Sequence, residues 1–169
     1  MNIALIAHDA KKKELLEWIA FNQAKLCEQQ LYCTGTTGKL VHRLVESIGD
    51  EILKIQMKLS ELKPTLNSPK ELADSIVHIL HSGPLGGDQE VGSMVANGKI
   101  DLIIFFADPL TMQPHDSDVR ALMRLAEVYN IPIACNRATA DYIISSGLFN
   151  NSEYKPIKTD YTKYLNRKL

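Results

Sequence analysis

The stretch SGPLGGDQEVG, residues 82–92, follows an apolar run at residues 76–80 and precedes apolar residues at helical spacing. We therefore predict that it forms the turn between a strand and a helix. Its glycines and its proline let the backbone bend sharply and come close to another group. One carboxylate, Asp88, stands where the turn becomes the helix. This position is typical either of an ordinary helix cap or of a site where N–H groups and an acid surround a small polar ligand.

Outward from this turn, the chain alternates between strand and helix patterns. Short apolar runs predict strands at residues 2–7, 31–33, 76–81, 100–107 and 131–135. Amphipathic patterns between these runs predict helices. Parallel strands need crossover connections that are usually helical, so the alternation indicates a three-layer α/β fold with a five-stranded, mostly parallel sheet. We expect residues 1–169 to form a single domain.

One segment, residues 46–75, is long for a connection between a helix and a strand. It carries a helical apolar stripe that Pro64 is expected to end. Ser68 and Pro69, followed by Glu71, are typical of a new helix start. We predict that this segment is a helical hairpin inserted within the domain. A structural role or a subunit contact is favoured over a catalytic lid.

Composition and charge argue against several classes of partner. The net charge of −1 gives no electrostatic reason to expect nucleic acid or an anionic membrane. No apolar segment approaches the ~20 residues that a membrane span requires, and the N-terminus lacks the basic start of a signal peptide. The three cysteines, Cys27, Cys33 and Cys135, lack C-x-x-C spacing. They are predicted to be reduced thiols in or near the core of a cytoplasmic protein.

Polar residues follow most of the predicted strands. His8 and Asp9 follow the first, residues 34–38 follow the second, and Asp108 follows the fourth. The carboxyl ends of parallel strands meet at one edge of a sheet, where such folds bind their ligands. No G-x-G-x-x-G follows the first strand and no G-x-x-x-x-G-K-[ST] is present. A dinucleotide or nucleoside triphosphate site is therefore not predicted.

The segment TGTTG, residues 34–38, lies between a predicted strand and a predicted helix. Its hydroxyls and N–H groups would converge at a helix N-terminus, where the helix dipole favours a phosphate. Lys12, one turn into the first helix, can add a positive charge. An ordinary threonine cap and a solvated lysine are the alternative interpretations.

A second polar cluster, PHDSD at residues 114–118, precedes and begins a predicted helix. A helix N-terminus lowers the pKa of an imidazole, so His115 could stay neutral and polarise a carbonyl group. Asp116 and Asp118 are also favourable in a first helical turn for structural reasons alone. Two histidines and several aspartates converging on one sheet edge favour a chemical role.

Together, these motifs resemble those of the methylglyoxal synthase family along nearly the whole chain, apart from residues 46–75. The matching segments are IAHD (6–9) with Lys12, TGTTG (34–38), SGPLGGDQ (82–89), GKIDLIIFF (98–106), DPL (108–110), PHDSDV (114–119) and NIPIA (130–134). The G-G-D-Q and P-H-D segments are the most diagnostic. The resemblance implies an enzyme that converts dihydroxyacetone phosphate to methylglyoxal and inorganic phosphate, with no metal or organic cofactor.

The resemblance also implies roles for individual residues. The family's catalytic base corresponds to Asp88, the histidine of P-H-D to His115, and a substrate-binding histidine to His8. The phosphate-binding residues correspond to Lys12, Thr34, Gly35, Thr36, Thr37, Ser82 and Gly83. Asp9, Asp108 and Asp118 correspond to the acidic surroundings of the site.

The resemblance further implies a homo-oligomer, specifically a hexamer, that inorganic phosphate inhibits. The alternative function is a non-catalytic regulatory domain of the same fold that binds a phosphorylated metabolite. The presence of both Asp88 and His115 favours the enzyme.

Overall fold

Apolar runs that are buried on both faces form the sheet of this protein. The computed structural model describes residues 1–59, 68–111, 116–157 and 159–167. The strands are β1 (Asn2–Ala7), β2 (Gln30–Thr34), β3 (Val77–Leu80), β4 (Leu102–Phe106) and β5 (Ile133–Ala134). They lie in the order β3-β2-β1-β4-β5, and every neighbouring pair is parallel. The predicted α/β fold with a five-stranded sheet is confirmed.

Helices cover both faces of this sheet. They are α1 (Lys12–Phe21), α2 (Gln23–Leu26), α3 (Gly35–Leu59), α4 (Pro69–Ile76), α5 (Gly87–Ala96), α6 (Asp116–Val128), α7 (Arg137–Ser145) and α8 (Thr162–Leu165). Alternate strand residues point to opposite faces, so Ile3 and Leu5 of β1 join a core with α1, α3, α4 and α7. Ala4 and Ile6 join a second core with α5 and α6. The three predicted layers follow from this alternation.

The helical stripe predicted from residue 46 belongs to α3, which runs without interruption from Gly35 to Leu59. Val41, Val45 and Ile52 continue one buried stripe along it. Gly49 lies within this continuous helix and lets α4 pack closely against it, since a Cβ at Gly49 would lie 2.5 Å from Cβ of Pro69.

The predicted helix start at residue 68 is confirmed. The Ser68 Oγ accepts a hydrogen bond from the Glu71 N–H at 3.2 Å, and Pro69 is the first residue of α4. Residues 60–67, which include Pro64, lie outside the described residues. That residues 46–75 are an addition to a more compact fold stays a prediction.

The cysteines lie in or near the core, as predicted. Cys27 and Cys33 are buried and Cys135 is half-buried. Burial raises the pKa of each of these thiols above its ordinary value, so all of them stay protonated at neutral pH. Across the described ranges, no helix combines the length and the apolar character that crossing a membrane would need.

Candidate active site

A cavity of about 260 Å³ opens where β1, β2 and β3 end. The predicted site residues that line it are His8, Asp9, Lys12, Thr34, Thr36, Thr37, Ser82, Gly83 and Asp88. Sites for drug-sized ligands usually enclose roughly 300–1,000 Å³. This cavity therefore fits a compact ligand better than a nucleotide.

The end of β1 presents the His8 imidazole to the cavity in a fixed orientation. Its Nδ1 accepts a hydrogen bond from the Asp108 N–H at 3.0 Å. The Phe105 ring packs against the imidazole edge to face, with ring centroids 5.1 Å apart. Because Nδ1 is an acceptor, the proton of the neutral ring lies on Nε2, which makes Nε2 a hydrogen-bond donor.

Lys12, the first residue of α1, brings a positive charge to the rim of the cavity. Its Nζ lies 2.5 Å from Oδ1 of Asp9, and its side chain is only 17% exposed. The Asp9 side chain is 95% exposed. The hydrogen bond from Lys12 lowers the pKa of Asp9, so the pair is ionic at neutral pH. An anion in the cavity would compete with this exposed carboxylate for the ammonium group.

The N-terminus of α3 supplies donors to the cavity. The first N–H groups of a helix have no partner within the helix, and Thr36 and Thr37 lie in this first turn. Gly35 begins the helix directly against Ser82, because a Cβ at Gly35 would lie 2.5 Å from Cα of Ser82. The Gly35 N–H donates to the His81 carbonyl oxygen at 3.0 Å. The loops after β2 and β3 are thus joined beside the cavity.

The turn at residues 82–88 presents the Asp88 carboxyl group. The Ser82 carbonyl oxygen accepts hydrogen bonds from the N–H groups of Leu85 and Gly87, each at 2.9 Å. Gly86 follows with a left-handed φ of 97°, which glycine adopts without strain, and α5 then begins. Asp88 is the second residue of α5 and only 3% exposed, although it lines the cavity. A carboxylate with so little solvent contact suits proton transfer to a bound molecule.

Some predicted site residues lie elsewhere. Asp108 does not line the cavity, and its Oδ1 accepts a hydrogen bond from the Leu110 N–H at 3.1 Å. Hydrogen bonds from Thr111 and Leu110 lower the pKa of Asp108. Asp118 lies in the first turn of α6 and does not line the cavity either. His115 lies outside the described residues.

Comparisons with known proteins agree with this geometry. A family model described as an MGS-like domain matches residues 66–135. A methylglyoxal synthase of Coxiella burnetii is 45% identical over 98% of this chain and 95% of its own length. One from Maridesulfovibrio salexigens is 44% identical over 99% of this chain and 97% of its own length.

The chain belongs to the methylglyoxal synthase family. A solved structure supports the same assignment, since the crystal structure of methylglyoxal synthase from Elizabethkingia anophelis matches with a TM-score of 0.75. That protein is 41% identical, and the match covers 99% of this chain and 91% of the solved chain. The five parallel strands and the cavity at their carboxyl ends are thus features of a methylglyoxal synthase family member.

Sequence reasoning missed the apolar wall of this methylglyoxal synthase-like site. Ile6, Ala7, Pro84 and Phe105 also line the cavity. Pro84 belongs to the turn at residues 82–88 that the sequence already indicated, but its contact with the cavity was not predicted. Phe105 lies next to Phe106 in the same strand, and the two rings point to opposite faces, so only one of them can reach the site. Over the described residues, no group of His, Cys, Asp or Glu side chains could hold a metal ion.

Proposed function

We propose that this chain is a methylglyoxal synthase that converts dihydroxyacetone phosphate to methylglyoxal and inorganic phosphate in the cavity described above. The observation that carries the proposal is that Lys12, the first turn of α3 and the buried carboxyl group of Asp88 line the same small cavity. Membership of the methylglyoxal synthase family supports the assignment.

The phosphate group of the substrate is proposed to bind between Lys12 and the loops after β2 and β3. The N–H groups of Thr36 and Thr37 lie in the first turn of α3, where the helix dipole favours a negative charge. The hydroxyl groups of Thr34 and Thr37, both buried, lie in the same part of the cavity. The Ser82-Gly83 backbone completes this proposed phosphate site.

Asp88 is proposed to be the general base. Its carboxylate would remove a proton from the hydroxymethyl carbon next to the ketone, and the electron pair would move onto the carbonyl oxygen to form an enediolate. The Nε2–H of His8 is oriented by the Asp108 N–H and by Phe105, so it can donate to this oxygen. Donors already in place for a developing oxyanion commonly contribute about 3–4 kcal/mol. From the family resemblance, we propose His115 as a second donor.

The enediolate would then expel the phosphate. The hydroxyl group on the deprotonated carbon gives its proton to the departing phosphate and becomes the aldehyde carbonyl. The electron pair of the enediolate double bond moves to the next carbon–carbon bond, and the bond between carbon and the bridging phosphate oxygen breaks. The released enolate becomes methylglyoxal by taking a proton on its methylene carbon, which the protonated Asp88 can return. Lys12 and the α3 N-terminus would stabilise the departing dianion. An isomerase for the same substrate must suppress this loss, and family membership favours elimination.

The Lys12→Met variant is expected to bind inorganic phosphate about 10- to 100-fold more weakly, because it loses a charge-assisted hydrogen bond. Methionine keeps much of the apolar stem. The dissociation constant is measured by titration calorimetry, and KM for dihydroxyacetone phosphate should rise in parallel.

Lys13→Met is the matched control for this prediction. Lys13 is the next residue of α1, is 90% exposed and does not line the cavity. An equal loss in both variants would attribute the effect to general surface charge. Unchanged phosphate affinity in Lys12→Met would remove Lys12 from the proposed phosphate site.

The proposed function is tested by incubating the purified chain with dihydroxyacetone phosphate in the presence of a chelator. Methylglyoxal is followed by a colorimetric assay, and inorganic phosphate by phosphorus NMR. Equal amounts of both products are expected. Formation of glyceraldehyde 3-phosphate without phosphate release would identify an isomerase. Binding of the substrate without turnover would identify the regulatory domain that is the alternative.

Three further properties belong to this proposal. Inorganic phosphate, as a product that occupies the same site, should inhibit the reaction. The chain should assemble as a homo-oligomer, and the family resemblance favours a hexamer, which native mass spectrometry tests. The proposed site of the reaction is the cytoplasm.

A further inference from the structure

The backbone N–H and carbonyl groups of His81 are hydrogen-bonded to two different elements, α5 and the start of α3. The His81 N–H donates to Oε2 of Glu90 at 3.1 Å, and the His81 carbonyl oxygen accepts from the Gly35 N–H at 3.0 Å. The His81 Nδ1 lies 3.1 Å from the same Glu90 oxygen. Glu90 therefore fastens α5 to the end of β3, at the point where the loop after β2 is also attached.

Glu90 lies two residues after Asp88 in the first turn of α5. The Glu90 N–H donates to the Gly86 carbonyl oxygen at 2.9 Å, which is the first hydrogen bond of a regular helical turn. A helical turn is stiff, so a contact that fixes the position of Glu90 also fixes the direction in which the Asp88 side chain projects from the helix. His81 directly precedes Ser82 and the proposed phosphate site.

We propose that Glu90 is a positioning residue, whose bond to the His81 N–H sets the separation between the phosphate-binding Ser82-Gly83 backbone and the carboxylate of Asp88. The proposal rests on the function proposed above, because that function gives these two groups their roles. The hydrogen bond from the His81 backbone lowers the pKa of Glu90, so its carboxylate is ionised at neutral pH and accepts strongly.

The competing explanation is that Glu90 only stabilises α5. An acid in the first turn interacts favourably with the helix dipole whatever else it contacts. The two roles make opposite demands on the side chain. Stabilising the helix needs the charge but not the length, whereas holding the His81 N–H needs an acceptor at the right reach but not the charge.

The positioning role should affect kcat more than KM. Lys12 and the first turn of α3 line the proposed phosphate site and lie on elements other than α5, so substrate binding should be largely retained. A shift of Asp88 relative to the bound phosphate moves the base away from the proton that it must remove. Misplacement by about 1 Å can cost roughly 10²-fold in rate.

The test compares Glu90→Ala, Glu90→Asp and Glu90→Gln. Glu90→Ala and Glu90→Asp are expected to lose about 10- to 100-fold in kcat, with KM within about threefold of the parent. The aspartate keeps the charge but is one methylene too short to reach the His81 N–H. Glu90→Gln keeps an oxygen acceptor at full reach and is expected to recover most of the lost kcat.

Asp101→Ala is the matched control. Its Oδ2 also accepts a hydrogen bond from a backbone N–H, that of Asn2 at 2.7 Å. Asn2 begins β1, so this contact lies at the amino-terminal ends of the strands, away from the cavity. Asp101→Ala should leave kcat and KM unchanged. Melting temperatures are measured for all variants so that kinetics are compared well below unfolding.

Two outcomes would overturn the proposal. One is a near-parental kcat in Glu90→Asp, and the other is a loss in Glu90→Gln equal to that in Glu90→Ala. Amide hydrogen exchange at His81 gives a readout that needs no turnover, with protection kept in Glu90→Gln and lost in Glu90→Asp. A parent chain that makes no methylglyoxal would contradict the proposed function, while the exchange pattern would still decide whether Glu90 holds the turn.

Discussion

The Asp88→Asn variant is expected to fold like the parent chain and to lose about 10²–10⁴-fold in kcat, the range that a positioned general base contributes. The amide has nearly the same shape as the carboxyl group, so the buried position in the first turn of α5 can accept it. It cannot take a proton from carbon at neutral pH, so the chemical step should fail while binding survives. Initial rates and the dissociation constant for inorganic phosphate measure the two effects separately.

Asp101→Asn provides the comparison for this variant. It makes the same chemical change at the amino-terminal ends of the strands, where the Asp101 carboxylate accepts from the Asn2 N–H and does not line the cavity. Its kcat should equal that of the parent. If Asp88→Asn kept a near-parental rate, Asp88 would not be the base, and another group in the cavity would have to remove the proton.

The Gly87→Ala variant is expected to lose about 100-fold or more in kcat/KM, because the new methyl group has no room beside the turn. An added Cβ would overlap the His81 carbonyl oxygen and would lie 2.9 Å from the His81 carbonyl carbon and from that of Ser82. These are backbone atoms that cannot rotate away as a side chain could. The turn must open, which moves Ser82 and Asp88 apart.

The same overlap should lower the free energy of unfolding by about 1–3 kcal/mol, as overpacking commonly does. Gly147→Ala is the control, because among the described residues no heavy atom other than those of its chain neighbours lies within 4 Å of the position where its Cβ would be. Chemical denaturation gives the stabilities, and the methylglyoxal assay gives the rates. Full activity in Gly87→Ala would show that the turn can relax without displacing Asp88, and the proposed geometry would then be wrong.

The strands were predictable where burial on both faces leaves one continuous apolar run. All five residues of β4 are buried, and its run was the strongest in the sequence. The start of β3 was less well predicted, because Ile76 was assigned to the strand and instead ends α4. An apolar residue serves a buried helix and a buried strand equally well, so a short run does not separate the two.

The polar part of the site was predictable because strand ends in a parallel sheet share one edge. The direction of each side chain was not. Asp108 follows β4 as expected, yet its carboxylate turns back to its own loop and accepts from the Leu110 N–H. Phe105 was not predicted because a residue that walls a cavity has the same apolar character as one in the core.

The hydrogen bond from the Gly35 N–H to the His81 carbonyl oxygen joins the two ends of the segment that connects β2 to the turn at residues 82–88. This segment contains α3, α4 and β3. In a flexible chain, doubling the length of a loop whose ends are pinned adds only about 0.6 kcal/mol of closure entropy. The residues between the first turn of α3 and the start of β3 can therefore change in number at little entropic cost while both loops stay beside the cavity. The geometry of the site thus depends little on the length of this crossover, and the later turns of α3 together with α4 can vary without changing the residues that line the cavity.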